Sequence, residues 1–135
     1  STSEVSLDGL NDKHRSGSMP VTSRHIRVSF QKEGIHKYPA AKDLPGVEFL
    51  QYPHRHIFYF YVTLEVSHND RDVEFILFKR ELESLFETGA MQADNMSCEM
   101  MAEEVLGYIE TEYPGRVVQV EVFEDDENGA ILSNA

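Results

Sequence analysis

The segment YPHRHIFYFYVTLEV, residues 52–66, sets His54 and His56 one residue apart at the mouth of a run rich in aromatic and β-branched side chains. In a strand, residues i and i+2 project to the same side, so the two imidazoles face one way and Arg55 the other. A neutral imidazole nitrogen is a good zinc ligand, and a catalytic zinc typically keeps three protein ligands and one open position. The third ligand must come from elsewhere. His36 is the best candidate, because it lies in the connection between the first strand and the second. The alternative is a pair of surface histidines at a turn, and the spacing alone leaves both readings open.

The elements that position these residues belong to a chain of 135 residues, the size of one domain with a real core. Hydrophobic residues make up 41% and charged residues 27%, as in ordinary globular proteins. The formal net charge of -12 argues against nucleic acid or an anionic membrane as partner, since phosphate attraction needs clustered Lys and Arg. Cys98 is the single cysteine, so no internal disulfide forms, which suits a reducing compartment. No apolar run is long enough to span a bilayer, and the N-terminus is polar, so the expectation is a cytoplasmic protein. Residues 1–18, STSEVSLDGLNDKHRSGS, are Ser-, Asp- and Gly-rich and end in Gly17-Ser18 directly before Met19. They read as a flexible tail or an expression-vector scar, with residues 19–135 forming the single domain.

From His25 the pattern alternates, with Ile26, Val28 and Phe30 interleaved with polar residues, which predicts a half-buried strand. A second, longer strand runs from about His56 to Val66, with Phe58, Phe60, Val62, Leu64 and Val66 on one face. Residues 75–89 predict a helix with a stripe of Ile76, Leu77, Arg80, Leu82, Leu85 and Phe86, stopped by Gly89. A second helix is capped by Ser97, carries Met100, Met101, Val105, Tyr108 and Ile109 as its apolar stripe, and ends at Pro114-Gly115. Val118, Val120 and Val122 mark a third strand, DDENG a turn, and AILSN a short last strand. The order ββααββ predicts an α+β fold, a four-stranded antiparallel sheet with both helices on one face.

The succession VSFQKEGIHKYP, YPHRHIFYFYVTLEV, DVEFILFKRELE, MSCEMMAEEVLGYIE and VVQVEVFEDDENGA resembles the 6-pyruvoyl-tetrahydropterin synthase and 6-carboxytetrahydropterin synthase family, from about His25 to Leu132. The resemblance lies in the order and spacing of these segments. It implies the tunnelling fold, with subunits closing into a barrel as a trimer or a hexamer and ligand sites between them. It also implies zinc on His36, His54 and His56, and a pterin or purine-like ring held by Glu124, with Ser97 and Glu99 falling on the Thr and Glu of the family's Pro-Thr-x-Glu motif. A carboxylate can accept two parallel hydrogen bonds from a guanidine-like edge. Each of these residues also has a structural reading: Ser97 as a plain helix cap, Glu99 as first-turn charge on the helix dipole, Glu124 as one more member of an acidic turn.

The departures from the family are chemical. Its catalytic cysteine stands four residues before the first histidine of the pair, which here is Leu50; Glu48 is the nearest carboxylate. Where the family carries an Asp-His dyad, residues 87–96 contain Asp94 and no histidine, and none occurs after His68. Arg55 replaces the glycine between the paired histidines, and Cys98 stands on the second helix. Two expectations follow. One is a divergent zinc-dependent synthase-like lyase in which Glu48 or Asp94 moves protons, with weak activity. The other is a non-catalytic ligand-binding or interaction module on the same scaffold.

Overall fold

The computed structural model describes residues 17–86 and 91–135. Alternation builds the sheet. Strand β1 (His25–His36) lies antiparallel to β2 (His54–Glu65), in unbroken register from His25 opposite Glu65 to His36 opposite His54. Strand β4 (Val118–Glu124) flanks the other side of β2 and turns into β5 (Asn128–Ser133). The turn needs a left-handed backbone at Asp125 and Asp126, with φ of 51° and 57°. Asp tolerates that region better than most residues with a Cβ.

The α+β class holds, but the four-stranded antiparallel arrangement does not. A short strand, β3 (Met91–Asp94), forms between the helices and pairs parallel to the end of β1. The sheet is therefore mixed and five-stranded, in the order β3-β1-β2-β4-β5, and the element order is ββαβαββ. Four residues carry too little period-two signal to stand out in a sequence. What holds them is the backbone of Gly34, Ile35 and His36 beside them.

The two helices, α1 (Phe75–Glu83) and α2 (Cys98–Glu112), pack on one face of the sheet. Phe58, Phe60, Val62 and Leu64 from β2 and Val118, Val120 and Val122 from β4 are fully buried there, as the alternation requires. Phe30 stacks on Phe60 with centroids 4.8 Å apart. Each such side chain contributes about 1.5–3 kcal/mol by leaving water.

Both helical stripes differ from expectation. On α1 only Phe78 and Leu82, four residues apart, are buried, while Ile76 and Leu77 are exposed. The run Phe75-Ile76-Leu77-Phe78 is apolar all round, so it does not select a face; the partner one turn later does. Arg80 and Leu85 are outside the core as well, and Phe86 packs against its edge. Gly89, the expected stop, lies outside the described residues, as do residues 1–16 of the expected tail. On α2 the Ser97 hydroxyl caps the helix by accepting from the Met100 amide at 3.1 Å, as expected. Met101, Val105 and Ile109 are buried, joined by Cys98 and Ala102, whereas Met100 is 54% exposed. Glu81 ties the helices together, accepting hydrogen bonds from the Tyr108 and Tyr113 hydroxyls at 2.6 and 2.7 Å. No helix among the described residues is long and apolar enough to cross a membrane.

Candidate metal centre

The antiparallel register of β1 and β2 assembles the histidines. His36 is the last residue of β1, inside the strand rather than in the connection after it, and stands directly opposite His54, the first of β2. His56 follows on the same face. The row then continues inward as Phe58 and Phe60, so the histidines extend the buried face of the sheet to its end. His36 is buried, and the His54 and His56 rings are partly covered. Ring centroids lie 4.5 Å apart for His36 and His54, 4.9 Å for His54 and His56, and 5.4 Å for His36 and His56. One ligand nitrogen from each lies within 4.8 Å of the others, close enough for the three to hold a metal ion. Phe58 packs edge-on against His36 and His56, at 5.2 and 6.0 Å, and floors the site.

Each imidazole is oriented through its Nδ1. His36 Nδ1 is 2.9 Å from the Met96 carbonyl, His54 Nδ1 is 2.9 Å from the Tyr52 carbonyl, and His56 Nδ1 is 2.6 Å from an Asp125 carboxylate oxygen. These oxygens only accept, so each Nδ1 carries a proton, and in a neutral ring Nε2 then presents a lone pair. Among the described residues, His36 Nε2 and His56 Nε2 are buried and have no hydrogen-bond partner. The Glu124 carboxylate stands 3.2 Å from the first and 3.5 Å from the second, at ion-pair separation but without hydrogen-bond alignment. Buried Nε2 atoms beside a partly covered carboxylate form a site that positive charge, from a metal ion or from a proton on the ring, would neutralise. The orphaned nitrogens, the donor chemistry and the engaged Nδ1 atoms all fit a metal ion.

A cavity of about 520 Å³ opens beside His36 and His54 and brings Ser97, Glu99 and Glu124 to its wall. Glu124 ends β4 and is partly buried, whereas Glu99 is exposed in the first turn of α2. Leu50 lines the same cavity. Glu48 and Asp94, the expected proton carriers, do not line it. The Glu48 carboxylate accepts from the Gly46 amide at 3.1 Å, and Asp94 ends β3 on the exposed side with its carbonyl held by the Lys37 amide. Cys98 also lines the cavity, but burial pushes its thiol up to about 12, with the Glu124 and Glu99 charges adding to the shift. It is a neutral thiol at physiological pH.

Sequence reasoning missed the groups that orient the rings. Asp125 reads as one of several acids in EDDENG, and nothing in that pattern separates it from its neighbours. The Met96 and Tyr52 carbonyls are backbone groups without any side-chain signature. Asp125 also accepts from the Ile57 amide at 3.0 Å, and this bond, with that from His56, holds its carboxyl below the ordinary range. Comparison of the chain with models of known protein families and with curated proteins gives no match.

Proposed function

We propose that this chain is a zinc-binding, ring-binding protein that resembles the 6-pyruvoyl-tetrahydropterin synthase family and has weak or no synthase activity. The observation that carries the reading is the convergence of three imidazoles whose Nδ1 groups are engaged, two of them leaving a buried, unpartnered Nε2. Neutral imidazoles suit zinc among the available divalent ions. When bound, zinc supplies Lewis-acid polarisation of a ligand oxygen. His36, His54 and His56 would hold it, with Phe58 packed edge-on against the His36 and His56 rings. Glu124, on the cavity wall, accepts the N–H pair of a pterin or purine-like edge, with Ser97 and Glu99 beside it.

Proton transfer is where the resemblance thins. Efficient acid–base work needs a group of suitable pKa within reach of the reacting atoms. Leu50 has no proton to move, the Cys98 thiol stays neutral, and Glu48 and Asp94 stand off the cavity. This favours the binding-module reading over a synthase-like lyase. In the same proposal the chain assembles as a trimer or hexamer of the tunnelling type, which would cover the outer sheet face where Ile57 and Ile131 are exposed.

The test combines metal analysis, ligand titration and turnover. The protein is expected to carry one zinc per chain, to bind a dihydropterin in a manner lost in Glu124→Ala, and to turn over dihydroneopterin triphosphate slowly or not at all. Turnover at an ordinary enzymatic rate, abolished by Glu48→Gln, would overturn the binding-module reading. A purified protein that takes up no divalent metal would remove the proposal altogether.

A further inference from the structure

The three histidines are not held alike. His36 and His54 donate to neutral backbone carbonyls, whereas His56 donates to a full carboxylate, Asp125, at 2.6 Å. Asp125 is itself fixed at three points. Its second oxygen accepts from the Ile57 amide at 3.0 Å, its own amide donates to the Ile57 carbonyl at 2.7 Å, and its backbone is left-handed with φ of 51°. Next to it, Asp126 accepts from the Tyr61 hydroxyl at 2.6 Å and locks the same turn onto β2. The turn between β4 and β5 is thereby anchored to the strand that supplies two of the three imidazoles, with one carboxylate aimed at a ring nitrogen.

We infer that Asp125 is a positioning residue of the metal centre: its carboxylate fixes the Nδ1–H tautomer and the ring orientation of His56 and strengthens Nε2 as a ligand. The inference rests on the metal-binding reading above. A carboxylate behind an imidazole makes the opposite nitrogen a better electron donor than a carbonyl does, because negative charge stabilises the positive charge that develops on the ring when Nε2 coordinates. Two acceptor oxygens are needed, one for the ring and one for the Ile57 amide. Aspartate supplies both. Asparagine supplies one, and glycine none, yet both accept a left-handed backbone, so neither substitution strains the turn.

The experiment titrates the metal-free protein with Co(II), read by its visible ligand-field absorption, in wild type, Asp125→Asn, Asp125→Gly and Tyr61→Phe. Co(II) affinity should fall about 10–100-fold in Asp125→Gly and less in Asp125→Asn, as outer-shell partners of metal-bound histidines generally behave. The absorption of both variants should shift, since ligand strength changes. Tyr61→Phe removes the neighbouring anchor without touching the histidine and should bind as wild type does. Asp125 variants that melt lower but bind Co(II) with wild-type affinity and spectrum would assign the residue a purely structural role and overturn the inference. An equal loss in Tyr61→Phe would overturn it too, by placing the effect in the turn. Wild type that takes up no Co(II) would instead defeat the metal reading beneath it.

Discussion

Replacing Phe58 tests how far the candidate site depends on the core. Phe58 is fully buried, opposes Glu124 across β2 and β4, and meets the rings of His36 and His56 edge-on at 5.2 and 6.0 Å. Truncating a buried Phe to Ala costs about 3–5 kcal/mol, and edge contacts between rings are worth about 0.5–1.5 kcal/mol beyond area. Phe58→Ala should therefore lose about 4 kcal/mol, a large share of the roughly 5–15 kcal/mol typical of a domain. Phe58→Leu keeps most of the apolar volume and should cost about 1–2 kcal/mol. The assay is urea denaturation of the metal-free protein in chelator. With a slope of about 2 kcal/mol per molar urea, Phe58→Ala should lower the midpoint by about 2 M. Zinc affinity should weaken in Phe58→Leu as well, because the rings lose their floor. A loss below about 1 kcal/mol for Phe58→Ala, with unchanged zinc affinity in Phe58→Leu, would refute the idea that the core continues beneath the histidines.

Further outcomes are expected elsewhere. On α2, Met101→Ala should destabilise by about 2–5 kcal/mol and Met100→Ala by less than about 0.5 kcal/mol, measured by the same denaturation; comparable losses at both would restore the stripe expected from spacing, which holds both methionines. Cys98 should resist alkylation by iodoacetamide at pH 7.5 in the folded protein and react on unfolding, since its thiol is held up near 12; rapid native labelling would contradict this. Burial first, then the Glu81 bond, raises Tyr113, and the Glu81 bond first, then desolvation, raises Tyr108 to about 12; Cys98 is raised as well. These acids stay neutral longer in the folded chain than in the unfolded one. Their stabilisation is therefore complete below their unfolded values, about 8.5 for the thiol and about 10 for the phenols, and is lost as pH rises toward the folded values. The melting temperature should fall from about pH 8.5 upward. Glu81→Gln should bring the Tyr108 titration, followed by phenolate absorbance, to lower pH, and an unmoved titration would contradict the Glu81 assignment.

Much of the sheet was legible because its strands are long and half-buried. Phe58, Phe60, Val62 and Leu64, and Val118, Val120 and Val122, alternate strictly, and all are buried together. The α2 cap was legible from Ser97 for a local reason, a side-chain oxygen three residues from an unpaired amide. The short strand β3 was not legible, since its place depends on backbone far away in the chain. The helical faces failed where apolar residues ran consecutively or where small and sulfur-bearing residues took the inner positions, as Ala102 and Cys98 do. At the candidate site, His54 and His56 were legible by type and spacing, whereas His36 was chosen for its place between the first two strands and in fact stands inside β1. Their orientation by Met96, Tyr52 and Asp125 is a property of the assembled strands and turn, which no linear pattern encodes.

The central claim is that His36, His54 and His56 form one metal site. Zinc K-edge X-ray absorption on the zinc-loaded protein addresses it most directly. A first shell containing three imidazole nitrogens at ~2.0–2.1 Å is expected, with imidazole scattering reduced in each of His36→Ala, His54→Ala and His56→Ala and zinc retention abolished when all three are replaced. A first shell without imidazole, or a triple variant that retains zinc as wild type does, would contradict the account.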